Sequence, residues 1–142
     1  MVVLIDTNVI LDFMTDRPPF GRAAKILLQK CHDGEIDAFI AAHSIPNIFY
    51  ILRKEYSSQD RKKLLLDVCE IVGIVEIGIE SIRNVLLNND FDDIEDGLQA
   101  ECAKAINAEY IITRNIDDFS HSTTPAILPD AFLKKIDQLS GK

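Results

Sequence analysis

Four aliphatic residues without polar alternation, Val-Val-Leu-Ile at 2–5, are closed abruptly by Asp6-Thr7-Asn8 before an apolar stretch resumes at Val9. Such a run reads as a short strand buried on both faces, the situation of strands in helix-covered parallel sheets. The polar triplet then has two readings. In one, Asp6 or Asn8 caps the following helix, as short polar side chains do. In the other, Asp6 marks the carboxyl end of a parallel strand, where α/β proteins place their ligands.

The rest of the chain repeats the alternation. A helix is expected over 8–14, then a break at Asp16-Arg17-Pro18-Pro19-Phe20-Gly21. Helical spacing over 22–32 sets Ala23, Ile26, Leu27 and Cys31 on one side. Further strands are expected at 36–42, 74–77, 109–113 and 125–128. Ser44 is expected to cap a helix whose first turn tolerates Pro46. Other helices are expected over 57–72, over 80–87, over 92–107 behind an Asp92-x-x-Glu95 capping box, and from Pro129 onward. This pattern predicts the α/β class: a three-layer α/β/α sandwich around a mostly parallel sheet of four to five strands, with 1–142 as a single domain.

No apolar run approaches the ~18 residues that span a bilayer, and no basic residue precedes the first apolar run. A cytoplasmic protein without membrane association is therefore expected. Cys31, Cys69 and Cys102 lie far apart with no CxxC pair, which predicts reduced, buried side chains and argues against zinc or thiol chemistry. None of the three histidines makes a recognisable hydrolase arrangement with Ser or Cys.

The net charge of −8 repels nucleic acid on average, since phosphate binding rests on Lys and Arg. The charges are uneven, however. Asp90, Asp92, Asp93, Glu95 and Asp96 fall within seven residues, and Arg53, Lys54, Arg61, Lys62 and Lys63 within eleven. The basic group reads either as a solvated helix face or as a hold on a nucleic-acid backbone.

In a parallel sheet the carboxyl ends of the strands share one edge. Asp6 follows the first strand, Asn47 lies in the first turn after the second, and Asn115, Asp117 and Asp118 follow the fourth. Asp93 and Asp96 open the helix before the fourth strand, and Asp96 shares a small-residue face with Ala100 and Ala103. Acids in a first helical turn complement the helix dipole. Carboxylates from three separate segments at one edge would also repel one another and raise each other's pKa values. Hard divalent cations such as Mg²⁺ or Mn²⁺ relieve that repulsion and suit phosphodiester hydrolysis.

The stretches LIDTNVILDFM, DFDDIEDGLQAECA and AEYIITRNIDDF, in this order across nearly the whole chain, resemble the PIN-domain family, in particular its small bacterial branch of VapC-like toxin ribonucleases. The resemblance implies an α/β/α sandwich, an acidic Mg²⁺/Mn²⁺ site that cleaves RNA to leave 5′-phosphate, an antitoxin protein as partner, and a homodimer. Carried over residue by residue, it makes Asp6, Asp96 and Asp118 the metal-binding acids and adds Asn115 and Asn47 to the catalytic set. Thr113 and Asn8 become supporting, substrate-binding groups, and Arg114, beside the site in sequence, is expected to bind substrate by holding the RNA backbone. The departure is at Asn47, where many members carry Glu; Asn contributes no charge, so weaker metal binding is expected. Glu95 and Asp93 are the acids that would compensate.

A non-catalytic, partner-binding PIN-like domain is the second reading, and Asn47 favours it. A receiver domain would need Asp after the third strand and Lys after the fifth, and neither is present. A haloacid-dehalogenase-type phosphatase would need DxD at the first strand, where Asn8 replaces the second Asp.

Overall fold

The aliphatic runs assemble as the central layer. The computed structural model describes residues 1–141. Five strands form one sheet in the order β3-β2-β1-β4-β5: β1 (Val2–Ile5), β2 (Asp37–Ala41), β3 (Gly73–Val75), β4 (Tyr110–Ile112) and β5 (Ala126–Ile127). Every pairing is parallel, with Leu4 level with Phe39 on one side and Ile111 on the other. The third strand is shorter and earlier than expected, and only two residues of the fifth pair with β4.

Seven helices connect and flank the strands: α1 (Thr7–Thr15), α2 (Gly21–His32), α3 (Ser44–Ile51), α4 (Ser58–Ile71), α5 (Ile79–Leu87), α6 (Ile94–Ala105) and α7 (Pro129–Leu139). Strand alternation explains how they divide. Val3 and Ile5 point to one face and meet Ile10 of α1, Leu27 of α2, Ile48 of α3, Val68 of α4 and Phe132 of α7. Leu4 and Ile111 point to the other face and meet Cys102 and Ala103 of α6, with Phe119. Leu4, Ile5, Ile40, Ile111 and Ile112 are each fully buried. Each such side chain contributes about 1.5–3 kcal/mol of burial free energy. The result is the expected three-layer sandwich. Cys31 and Cys102 are buried as expected, whereas Cys69 is only half-buried; all three are free thiols.

Strand order positions the site. From β1 the chain winds outward through β2 and β3, then returns past β1 to β4 and β5. The direction of winding therefore reverses between β1 and β4, and open α/β sheets bind ligands at such a switch point. Asp6 and the segment 113–115 stand on either side of it. Among the described residues no helix is long and apolar enough to cross a membrane.

Candidate acidic metal site

Asp6 fills both roles that its sequence position suggested. It is the N-cap of α1, accepting from the Thr7 N–H at 2.8 Å. It also stands at the end of β1, where its own N–H bonds the Ile112 carbonyl at 2.9 Å. The Thr113 hydroxyl donates to Asp6 Oδ2 at 2.8 Å, and Asn8 Nδ2 reaches the same oxygen at 3.3 Å. Burial pushes the Asp6 carboxyl up; the bonds from Thr113 and Thr7 oppose that, and the charges of Asp118 and Glu95 add to it.

Asp96 arrives from a different part of the chain. The N-cap of α6 is Asp93, one residue later than the expected capping box, and it accepts from Glu95 N and Asp96 N. This cap places Asp96 in the first turn, half-buried. Its carboxyl is pushed up to about 7, first by burial and then by the charges of Asp93, Asp118, Asp6 and Glu95. Asp118 comes from the 3₁₀ turn Ile116–Phe119 that follows β4 directly, and it is exposed. Asp6, Asp96 and Asp118 are thus within electrostatic reach of one another, as the shared sheet edge required. Among the described residues none of Asp6, Asp93, Glu95, Asp96 and Asp118 has a Lys or Arg ion-pair partner.

The other expected site residues surround these acids with different degrees of exposure. Asn115 is exposed, and its N–H donates to Thr113 Oγ1 at 3.0 Å. Asn47 is half-buried in the first turn of α3, at the carboxyl end of β2. Asn8 and Thr113 face Asp6. Arg114 turns away from the cleft: its Nε lies 2.7 Å from Asp12 Oδ2.

Sequence reasoning missed a buried polar group beneath these acids. The cap of α3 is His43, and Ser44 is the first residue of the helix. Its hydroxyl instead lies 2.8 Å from Thr7 Oγ1, and Gln99 Nε2 donates to both oxygens, at 3.1 Å and 3.3 Å. Three helices, α1, α3 and α6, are tied together below the site. The available signal was Gln99 itself, three residues after Asp96 on the same helix face. His43, before α3, was not singled out either. Both of its ring nitrogens are buried without a partner, and burial lowers its pKa although Glu95 and Asp93 pull it upward.

A cleft of about 480 Å³ is lined by Asp90, Asp92, Asp93, Asp96, Asp117, Asp118 and His121, and Asp6 is not part of its lining. Another depression of about 600 Å³, at the far end of α1, is lined by Leu11, Asp12, Ile51 and Tyr56 and lacks that density of carboxylates. The carboxylate oxygens of the acidic cleft have no Lys or Arg ion-pair partner among the described residues, a donor set that fits a hard divalent cation. The side chains are not drawn in to ligand spacing: among the described residues no three Asp, Glu, His or Cys stand close enough together to hold an ion.

Comparison with known proteins identifies the family and the fold. The PIN domain family model matches residues 2–117, taking in Asp6, Asn47, Asp96 and Asn115 and ending one residue short of Asp118. Ribonuclease VapC1 of Aquifex aeolicus (strain VF5) is 28% identical over 125 residues, covering 83% of this chain and 84% of that protein. The fold is similar to that of the Mycobacterium tuberculosis sarcin-ricin loop cleaving toxin VapC20, with a TM-score of 0.70 at 11% identity over 89% of this chain and 99% of that one. It is also similar to a chain of a toxin–antitoxin complex from Klebsiella pneumoniae, with a TM-score of 0.64 at 23% identity over 89% of this chain and 97% of that one. The family match runs from β1 into the turn that carries the last acids, and on that extent the chain belongs to the PIN-domain family.

Proposed function

We propose that this chain is a Mg²⁺- or Mn²⁺-dependent ribonuclease that acts in the cytoplasm as the toxin of a toxin–antitoxin pair. The observation that carries the reading is the convergence of Asp6, Asp96 and Asp118, carboxylates from three chain segments without a Lys or Arg ion-pair partner among the described residues, at one sheet edge. The named activity of the Aquifex relative and the toxin–antitoxin assembly of the Klebsiella neighbour point the same way. An antitoxin protein and a homodimer belong to this reading as partners.

Asp6, Asp96 and Asp118 would hold the ion. When bound, it supplies Lewis-acid activation of water and neutralises charge on the scissile phosphate. Thr113 and Asn8 fix the orientation of the Asp6 carboxylate, and the Thr113 bond opposes the upward push of burial on its pKa. Asn115 and Asn47 offer neutral donors and acceptors at the rim, and Asp93 and Glu95 add negative charge beside Asp96. With Asn in place of an acid at position 47, the site holds its ion less tightly than one with a fourth carboxylate.

Cleavage of RNA oligonucleotides with Mn²⁺, with Mg²⁺ and with EDTA tests the reading. Cleavage that needs the ion, disappears in Asp96→Asn and leaves 5′-phosphate ends supports it. Ion-independent cleavage, or equal cleavage by Asp96→Asn, contradicts it. Asn47 keeps one alternative open, a non-catalytic partner-binding domain, which predicts antitoxin capture without cleavage under any of these conditions.

A further inference from the structure

Asp12 is a carboxylate that the proposed chemistry does not use, yet it is only 2% exposed. Arg114 is its ion-pair partner, with Nε 2.7 Å from Asp12 Oδ2, but Arg114 Nε and Asp12 Oδ1 are both buried without a hydrogen bond. An ion pair that leaves a buried oxygen and a buried nitrogen without hydrogen bonds is a poor device for stability, because desolvation offsets most of the attraction. Its geometry suggests another purpose. The Arg114 guanidinium carbon sits 4.2 Å from the centre of the Phe20 ring, so the group is held between α1 and the turn that precedes α2. The backbone N–H of Arg114 donates to Asn8 Oδ1 at 3.4 Å. Asn8 and Asp12 stand one turn apart on α1, so side chain and backbone of Arg114 grip the same helix face.

The site begins at the residue after Arg114. Asn115 is bonded to Thr113 through its N–H, and the Asp118 N–H donates to the Asn115 carbonyl at 3.1 Å. The 3₁₀ turn therefore begins from a segment whose place is set by its attachment to α1. We infer that Asp12 and Arg114 are positioning residues: their ion pair, with the Phe20 ring against the guanidinium, holds the segment after β4 against α1 and so fixes where Asn115 and Asp118 stand relative to Asp6 and Asp96. The inference rests on the reading of that edge as a metal site. It also gives Arg114 a role different from the contact with substrate expected from sequence.

Two measurements on Asp12→Asn and Arg114→Lys test it. The lysine variant keeps the charge but not the planar fork, and it serves if Asp12→Asn does not fold. The first measurement is amide hydrogen exchange in metal-free protein. The inference predicts faster exchange at Asp118 and Ser120, whose N–H groups bond Asn115 and Asp117, with β1 amides unchanged. The second is Mn²⁺ calorimetry, where both variants should bind about tenfold more weakly, the usual effect of losing a group that orients a metal ligand. Exchange that rises evenly along the chain, or wild-type exchange and Mn²⁺ affinity in both variants, overturns the inference. If wild type itself binds no Mn²⁺, the metal-site reading fails, and the exchange pattern still decides whether the clamp exists.

Discussion

The hydroxyl of Thr113 donates a 2.8 Å hydrogen bond to Asp6 Oδ2, linking residues 107 positions apart across the point where the sheet reverses its winding. Thr113 has no exposed surface, and its bond is the largest influence holding the Asp6 carboxyl down against burial. Thr113→Val keeps the shape and removes the donor. The expected cost is about 2 kcal/mol in urea unfolding, the scale of a hydrogen bond to a charged group. The Asp6 pKa should rise further, so the pH dependence of Mn²⁺ binding should move to higher pH than in wild type.

Asp96 gives a second test, through pH. Its folded-state carboxyl titrates near 7 against an ordinary value of 3.8, so the folded protein holds more protons than the unfolded chain between those values. Stability of the metal-free protein should therefore fall as pH rises across that window. Asp6, also raised, acts in the same direction. Asp96→Asn removes one of these two contributions, and thermal melts should show a higher Tm than wild type at neutral pH with a flatter pH profile.

Gly97 seats α6 against α5. A Cβ there would lie 2.8 Å from Val85 Cγ1, on a stiff and buried side chain. Alanine gains up to about 1 kcal/mol of helix propensity, but overpacking costs about 1–3 kcal/mol. Gly97→Ala should therefore destabilise by about 1 kcal/mol in denaturant unfolding. Adding Val85→Ala makes room for the new Cβ, so the double variant should lose less stability than the sum of the two single changes.

Asn47 is the position where added charge should help. Asn47→Glu supplies a fourth separately encoded carboxylate to the same edge, and ligand charge count tunes cation affinity. Mn²⁺ binding should tighten by about an order of magnitude. Metal-free stability should fall, because one more like charge joins an uncompensated group.

The layers, the parallel sheet and the edge of acids were legible in the sequence because each rests on local pattern. Aliphatic runs without alternation mean strands buried on both faces, and a polar residue closing such a run falls at the strand end. Asp6 and Asn115 could be placed this way, whereas Asp96 rested on its place in a helix's first turn and on a face of small residues. Side-chain partners between distant segments could not. Ser44 carries the sequence signature of a helix cap, yet its hydroxyl turns to Thr7 and Gln99, because the packing of α1, α3 and α6 leaves polar groups that need partners in a buried space. Arg114 sits next to the site in sequence, and only the tertiary fold shows its guanidinium on Asp12. The shift of the α6 cap from Asp92 to Asp93 is of the same kind, since either acid satisfies the pattern and backbone geometry chooses between them.

The most direct measurement is Mn²⁺ calorimetry on wild type and Asp96→Asn at neutral pH. Wild type should show saturable binding that Asp96→Asn abolishes, with proton release on binding because Asp96 is partly protonated in the metal-free protein. Equal affinity in the two proteins, or no binding by wild type at millimolar Mn²⁺, would contradict the assignment of this edge as a metal site.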